Sequence, residues 1–122
     1  MLKKILMTLS VAILLISTLS APKDASARSH YKSVRVSATA YNEMGRTATG
    51  YRLWKHPRAK VIAVDPRVIP LGSKVYVPGY GTAVARDTGG AIKGKIIDVH
   101  FKTRHQAIKW GRKHVKIKVY RR

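Results

Sequence analysis

Two aspartates, Asp87 and Asp98, lie eleven residues apart in the segment VARDTGGAIKGKIIDVHF, and a third, Asp65, follows the apolar run VIAV. Asp98 also interrupts an apolar run, because two isoleucines precede it and a valine follows it. The chain has only five acidic residues against 25 lysines and arginines. Carboxylates inside apolar runs are rare unless they are paired or functional, since burial removes their hydration. These three aspartates are therefore the first candidates for chemistry.

Two interpretations of these aspartates are open. Asp65 precedes a proline and Asp87 precedes Thr-Gly-Gly, and both patterns are typical of turns. Carboxylates also occur in purely structural ion-pair networks. Three acids in so basic a chain nevertheless favour a shared site, and we expect their carboxyl groups to lie in one cleft. Asp98 is the least turn-like of the three, because no glycine or proline follows it.

The apolar neighbours of Asp98 predict a raised pKa through desolvation, and a nearby Asp87 carboxylate would act in the same direction. The many lysines and arginines would act in the opposite direction. A carboxylic acid that keeps its proton is suited to general acid catalysis.

The N-terminal residues 1–27 have the features of a secretory signal peptide. Lys3 and Lys4 precede an apolar stretch over residues 5–19, and the triplet Ala-Ser-Ala ends at residue 27. An uncleaved membrane anchor is the alternative, because the apolar stretch approaches spanning length. The chain has no cysteine, so disulfides and cysteine-linked lipids are excluded for this sequence.

The charge of the chain predicts an anionic partner. Cleavage after residue 27 would remove three lysines and one aspartate, which lowers the net charge from +20 to +18. The remaining 95 residues are sufficient for one small domain. For an exported protein the first anionic partners are wall polymers, namely peptidoglycan carboxylates and teichoic phosphates. Nucleic acid is an alternative partner, which the predicted export of the protein disfavours. The simplest alternative is that the positive charge only keeps a small protein soluble.

The remaining pattern predicts short strands and one helix. We expect a flexible segment over residues 28–33 and a first strand over residues 34–41, where apolar and polar residues alternate. Further short strands follow, and a helix runs from Thr103 as its cap to Trp110, where Gly111 ends it. Gly89 and Gly90 permit unusual backbone angles or a close backbone approach. Short strands with turn signals predict a small closed β-barrel. The five histidines lack metal-ligand spacing, so no metal and no cofactor are expected.

The segments VSATAY, TATGY, VIAVDPRVIPLG, DTGGAIKGKIIDVHF and AIKWGRKHVKIKVY together resemble the 3D (three-aspartate) domain of secreted cell-wall proteins. This domain is similar to the catalytic core of membrane-bound lytic transglycosylase A. The resemblance covers residues 34–120, nearly all of the predicted mature chain. It implies a mainly β fold, a six-stranded double-psi β-barrel with one short α-helix.

The resemblance also implies roles for particular residues. Asp98 matches the catalytic acid and Asp87 supports it. The other positions expected to contact substrate by this resemblance are Asp65, Thr49, Tyr41 and Lys93. Apart from the resemblance, the backbone N–H groups of Gly89 and Gly90 are expected to orient the sugar. The chain departs from the family pattern at Arg86, where many relatives have an acid, and at His100, where many have tyrosine.

The implied activity is cleavage of peptidoglycan glycan strands by a lytic transglycosylase in the wall, with Asp98 acting as acid and then as base. Glycosidases usually need two carboxylates, whereas this reaction needs one, because the C6 hydroxyl of the substrate replaces water. Two alternatives stay open: a non-catalytic wall-binding module of the same fold, and a basic nucleic-acid binder with salt-sensitive affinity.

Overall fold

The computed structural model describes residues 30–121. The predicted signal peptide, residues 1–27, lies outside the described residues. Within residues 30–121, the helices are too short or too polar to cross a membrane.

Six strands close into a single barrel in the order β1-β5-β2-β4-β3-β6. The pairs β1–β5 and β2–β4 are parallel, and the other four pairs are antiparallel. This confirms the mainly β fold with a double-psi barrel and one short α-helix. The elements are β1 Tyr31–Tyr41, β2 Val61–Ala63, β3 Lys74–Val77, β4 Gly81–Asp87, β5 Ile96–His100, α1 Arg104–Trp110 and β6 Lys113–Tyr120, with a 3₁₀ helix at Leu53–Lys55 between β1 and β2.

Alternation along β1 separates the core from the outer face of the barrel. Val34, Val36 and Ala38 are buried, together with Ile97 and Val99 of the neighbouring strand β5. Because successive side chains of a strand point to opposite faces, the residues between them line the outer face. That face carries the polar side chains of β1, including those of the candidate site.

The first strand begins three residues earlier than the sequence predicts. Tyr31 to Ser33 belong to β1 and not to a flexible segment, because they pair with the end of β6. Tyr31 is opposite Tyr120 in the register, and their ring centroids are 5.8 Å apart. A tertiary partner distant in the chain, rather than local pattern, therefore extends the strand.

Helix α1 has the predicted cap. The Thr103 hydroxyl accepts from the Gln106 amide at 3.2 Å, and the Gln106 side chain accepts from the Thr103 amide at 3.2 Å. This reciprocal capping box satisfies two donors that the helix leaves open. At the other end, the Trp110 indole donates to the Ala38 carbonyl at 3.1 Å, which attaches the helix to β1.

Candidate active site

Asp87 and Asp98 lie on either side of Ala63. Ala63 of β2 pairs with Asp98 of β5 on one side and with Asp87 of β4 on the other. A register shift between β2 and β4 at this point leaves Arg86 as the extra residue of a bulge. Alanine has a small side chain, so little bulk separates the two carboxylates. Two of the three candidate aspartates are therefore brought to one place.

The Asp87 carboxylate is fixed by backbone donors. Its Oδ1 accepts from the Ala48 and Thr88 amides, each at 2.9 Å. Its Oδ2 accepts from the Tyr41 hydroxyl at 3.4 Å, which is a long hydrogen bond. The strand end, the following turn and the loop after β1 thus all hold one carboxylate in a defined orientation.

Asp98 is half-buried, and its pKa is raised from the usual value of 3.8. Loss of hydration is the main cause, and the negative charges of Glu43 and Asp87 act in the same direction. The hydrogen bond from the Thr39 hydroxyl, 2.9 Å from Oδ1, acts in the opposite direction because it stabilises the ionised form. The balance of these effects is a pKa above the usual value.

Among the residues that the structure describes, neither carboxylate of this pair forms an ion pair. Over residues 30–121, the one ion pair joins Asp65 to Arg67. This is notable in a chain with 25 lysines and arginines, because a structural role for Asp87 or Asp98 would be served by such a partner. Both carboxyls are instead held by uncharged donors, Asp87 by two backbone amides and a tyrosine hydroxyl and Asp98 by a threonine hydroxyl.

Thr39 is well placed to follow the protonation of Asp98. Thr39 lies opposite Asp98 in the parallel β1–β5 register. Its hydroxyl has two acceptors within reach, the Ile97 carbonyl at 3.3 Å and Asp98 Oδ1 at 2.9 Å, but only one proton to donate. When Asp98 is ionised, Thr39 donates to it. When Asp98 carries a proton, Thr39 donates to Ile97 and accepts from the acid.

Tyr41 and His100 form the side of the site at the carboxyl end of β1. Burial and the charges of Asp87 and Asp98 raise the pKa of Tyr41 well above its usual range, so its hydroxyl remains a donor. The ring of Tyr41 meets the ring of His100 edge-on, with centroids 5.1 Å apart. The Nε2 atom of His100 lies 3.0 Å from the Glu43 carbonyl, which only accepts, so Nε2 carries the proton.

Residues 42–52 form a loop that is docked on strand β4. The backbone amide and the hydroxyl of Thr49 both donate to the Arg86 carbonyl, at 3.2 and 2.8 Å. The Arg86 guanidinium lies 4.4 Å from the centroid of the Tyr51 ring, which stacks on His56. Arg86 therefore stabilises the loop. The Thr49 hydroxyl already has a protein partner, and its predicted contact with substrate stays a prediction.

Asp65 is placed differently from the other two aspartates. It is 3% exposed, and its carboxylate accepts from Arg67 Nε at 3.1 Å, from Arg67 Nη2 at 2.8 Å and from the Gly94 amide at 2.8 Å. These bonds hold its pKa well below the usual range, the Arg67 side chain contributing most. The Asp65 carboxylate is thus held by the protein as an internal anchor. That it shares one cleft with Asp87 and Asp98, and that it binds substrate, both stay predictions.

The turn segment between β4 and β5 is fixed by glycines in two ways. A Cβ on Gly89 would lie 2.9 Å from Ile92 Cγ1, so this position requires close approach and not an unusual angle. Gly94 has the left-handed backbone, with φ 70°. Its amide donates a hydrogen bond to the Asp65 carboxylate. Gly90 has open space around it, and Lys93 is exposed. Sugar contacts at Gly89, Gly90 and Lys93 remain predictions.

Two residues of this site were missed at the level of sequence. Thr39 lies within VSATAY, where Ser37, Thr39 and Tyr41 alternate with small or apolar residues. That alternation indicates a shared outer face, and it could have placed Thr39 beside Tyr41. Glu43 had no comparable signal, because its influence on Asp98 depends on how the loop returns to the barrel.

A cavity of about 550 Å³ lies nearby, beyond His100, lined by Lys60, Tyr80 and Phe101 among others, but by none of the three aspartates. Among residues 30–121, no three histidine, aspartate or glutamate side chains converge as metal ligands. The chemistry that the site offers is proton transfer from a half-buried acid beside a fixed carboxylate.

Known proteins resemble this chain in sequence and in fold. The chain is 59% identical over 93 residues to the cell wall-binding protein YocH of Bacillus subtilis (strain 168), a match that covers 72% of this chain and 32% of the relative. The chain spans less than half of the length of each of three curated relatives, between 23% and 41%.

Two solved structures share the fold. Streptomyces papain inhibitor is 19% identical with a TM-score of 0.56, covering 74% of this chain and 96% of the inhibitor. MltA from E. coli is 22% identical with a TM-score of 0.50, covering 65% of this chain and 28% of MltA. The family model of the 3D domain matches residues 60–121, which include Asp65, Asp87 and Asp98. The chain therefore belongs to the 3D domain family.

Proposed function

We propose that the domain is a lytic transglycosylase that cleaves the β-1,4 bond between N-acetylmuramic acid and N-acetylglucosamine in peptidoglycan. The observation that carries the proposal is Asp98, a half-buried carboxyl of raised pKa with no cationic partner, beside the oriented carboxylate of Asp87. The wall as the place of action is supported by the relative named as a cell wall-binding protein. The fold shared with MltA agrees with it.

The proposed reaction uses one acid twice. Asp98 donates its proton to the oxygen that leaves with N-acetylglucosamine as the glycosidic C–O bond breaks. The C6 hydroxyl of the muramic residue then bonds to its own anomeric carbon, and its proton returns to Asp98. The products are a free 4-hydroxyl end and a 1,6-anhydro end, and no water is consumed. Thr39 supports both states of Asp98, since its hydroxyl can accept from the acid or donate to the carboxylate.

Asp87 is proposed to act through its charge. Breaking the glycosidic bond develops positive charge on the sugar ring, and a carboxylate already oriented by two amides needs little reorganisation to stabilise it. The same charge raises the pKa of Asp98. Asp87 thus both keeps the acid protonated and favours the transition state.

Export and wall location belong to the same proposal. A signal peptide over residues 1–27 would deliver the domain to the outer side of the membrane, where its substrate is found. Peptidoglycan strands are the proposed partner, with anionic wall polymers attracted by the basic surface. No nucleic-acid partner is proposed.

A second candidate function is a wall-binding module that does not cut. The name of the relative YocH, a cell wall-binding protein, favours it. Such a module would hold the same glycan strand in the same cleft, and the two functions differ only in whether covalent products appear.

The deciding experiment is digestion of purified sacculi followed by mass spectrometry of the soluble fragments. Release of 1,6-anhydro ends by the wild type and its near-complete loss in Asp98→Asn would support the transglycosylase. Circular dichroism and sacculus binding of the variant serve as the controls for folding. Reducing ends would instead mean that water attacked, which requires Asp87 as base. Equal products and rates from both proteins would refute the catalytic assignment.

A further inference from the structure

The outer face of β1 continues past Thr39 into a basic concavity. Arg35 and Ser37 follow the same alternation as Thr39, and with Lys95 and His114 they line a cavity of about 360 Å³. Lys95 immediately precedes β5, and its carbonyl accepts from the Ser37 amide at 3.0 Å. His114 lies opposite Ser37 on β6. Three separate parts of the chain therefore supply positive or protonatable groups to one place.

A second concavity of about 410 Å³ shares Arg35 and Lys95 with the first and adds Lys32 and Arg67. Arg67 is held by two hydrogen bonds from its guanidinium to Asp65, yet its side chain is 77% exposed. The buried Asp65 thus fixes the direction of an exposed cation. No acidic residue lines either cavity, and Asp65 contributes only by holding the Arg67 side chain in place.

The charges of this region are not balanced in the ligand-free protein. Arg35 lies directly opposite Lys116 in the β1–β6 register, and both are exposed. Like charges directly opposite each other in a sheet are destabilising. The Ser37 hydroxyl oxygen has no hydrogen-bond partner among the described residues, but it is inaccessible to solvent, so a ligand would contact the cations around it and not this oxygen. Cations that repel one another beside a concavity are the features expected of a site that an anion completes.

We propose that this region, formed by Arg35, Ser37, Lys95 and His114, is a subsite for a carboxylate carried by a substituent of the bound glycan strand. At about 3.3 Å per residue, Ser37 lies roughly 7 Å and Arg35 roughly 13 Å from Thr39 along β1. At these distances, a group bound beside Arg35 belongs to the same ligand that contacts Asp98. Guanidinium groups bind carboxylates in a bidentate geometry. The inference rests on the proposed function, because it takes a glycan strand as the ligand.

The test compares small probes rather than whole wall. Binding of N-acetylmuramyl dipeptide, which carries a free carboxylate, is measured by calorimetry against the same compound with its carboxylates amidated. The double variant Arg35→Gln/Lys95→Gln is compared with Lys109→Gln/Arg112→Gln, which removes the same charge from α1 and the residues after it. The first variant should bind the acid form at least tenfold more weakly, the second should bind it as the wild type does, and the amidated probe should bind poorly to all three.

Equal affinity of the first double variant and the wild type would overturn the subsite. Amidated probe binding as tightly as the acid form would overturn it as well. Inorganic phosphate competing as strongly as the dipeptide would refute assignment to a glycan substituent and indicate a general anion site for wall phosphates. Product release is scored separately: carboxylate-dependent binding without anhydro products would refute the proposed reaction and leave the subsite intact.

Thermal unfolding gives a readout that a structural role would not produce. Removing the Arg35 charge should raise the melting temperature of the ligand-free protein by about 1–5 °C at low salt, because it relieves repulsion with Lys116. A structural arginine would give a decrease, and a decrease would contradict the proposal.

Discussion

Replacing Thr39 by valine tests how the proton of Asp98 is controlled. Valine keeps the shape of the side chain and removes the hydroxyl that lies 2.9 Å from Asp98 Oδ1. That hydrogen bond favours the ionised carboxyl and lowers its pKa, so its loss should raise the pKa further. Hydrogen bonds to charged groups contribute about 1.5–3 kcal/mol. Asp98 is only half-buried and water replaces part of the loss, so we take about 1 kcal/mol for this hydrogen bond.

The measurement is a carbon-13 NMR titration of the aspartate carboxyls in Thr39→Val and the wild type. The Asp98 resonance should titrate at higher pH in the variant. The alkaline limb of the pH profile of glycan cleavage, where the acid loses its proton, should shift to higher pH with it. Thr82→Val is the matched control, since Thr82 is an exposed residue on β4. A pKa of Asp98 that falls or stays the same in Thr39→Val would refute the reasoning, because the hydroxyl would then not be stabilising the carboxylate.

Three further predictions concern charge. Because the pKa of Asp98 is raised in the folded protein, its contribution to stability falls as pH rises from about 3.8 through that pKa. Asp98→Asn should therefore raise the free energy of unfolding by up to about 1 kcal/mol at pH 7 and by less at pH 3. Urea denaturation at the two pH values measures this difference. The pKa of Asp65 is lowered, so its contribution to stability is present above about pH 3.8 and is lost as pH falls. Asp65→Asn should therefore lower the melting temperature at pH 7, with a difference that shrinks below pH 4. The same variant should speed hydrogen exchange at the Gly94 amide, and unchanged exchange would refute the role of Asp65 as an anchor. Binding to purified sacculi should weaken between 0.05 and 0.5 M salt, roughly the range over which screening becomes strong, and salt-independent binding would show that the basic surface is not its cause.

The sequence predicted what local pattern encodes. Alternation in VSATAY predicted the first strand, and a capping threonine with a terminal glycine predicted the helix that the structure places at Arg104–Trp110. The apolar neighbours of Asp98 predicted desolvation, which the structure gives as the main cause of its raised pKa. These features depend on residues close together in the chain.

What the sequence did not predict depends on pairing between distant segments. The partnership of Thr39 and Asp98 follows from a parallel register between β1 and β5 that no local pattern specifies. Asp65 also follows an apolar run, and its bonds to the Arg67 side chain and to the distant Gly94 amide make it an anchor. Likewise, the sequence did not predict that the positive φ lies at Gly94 and not at Gly89 or Gly90.

The parallel pairing of β1 with β5 also has a consequence for folding. The hydrogen bond between Thr39 and Asp98 joins residues 59 positions apart, and β1 pairs on its other side with β6, the last strand of the chain. Contacts of such high sequence separation close large loops and fold slowly compared with local ones. The acid therefore acquires its hydroxyl partner only when the first strand pairs with β5, so the site is completed by long-range pairing and not by local structure. A chain in which β1 had not yet paired with β5 would contain all three aspartates but not the Thr39–Asp98 hydrogen bond.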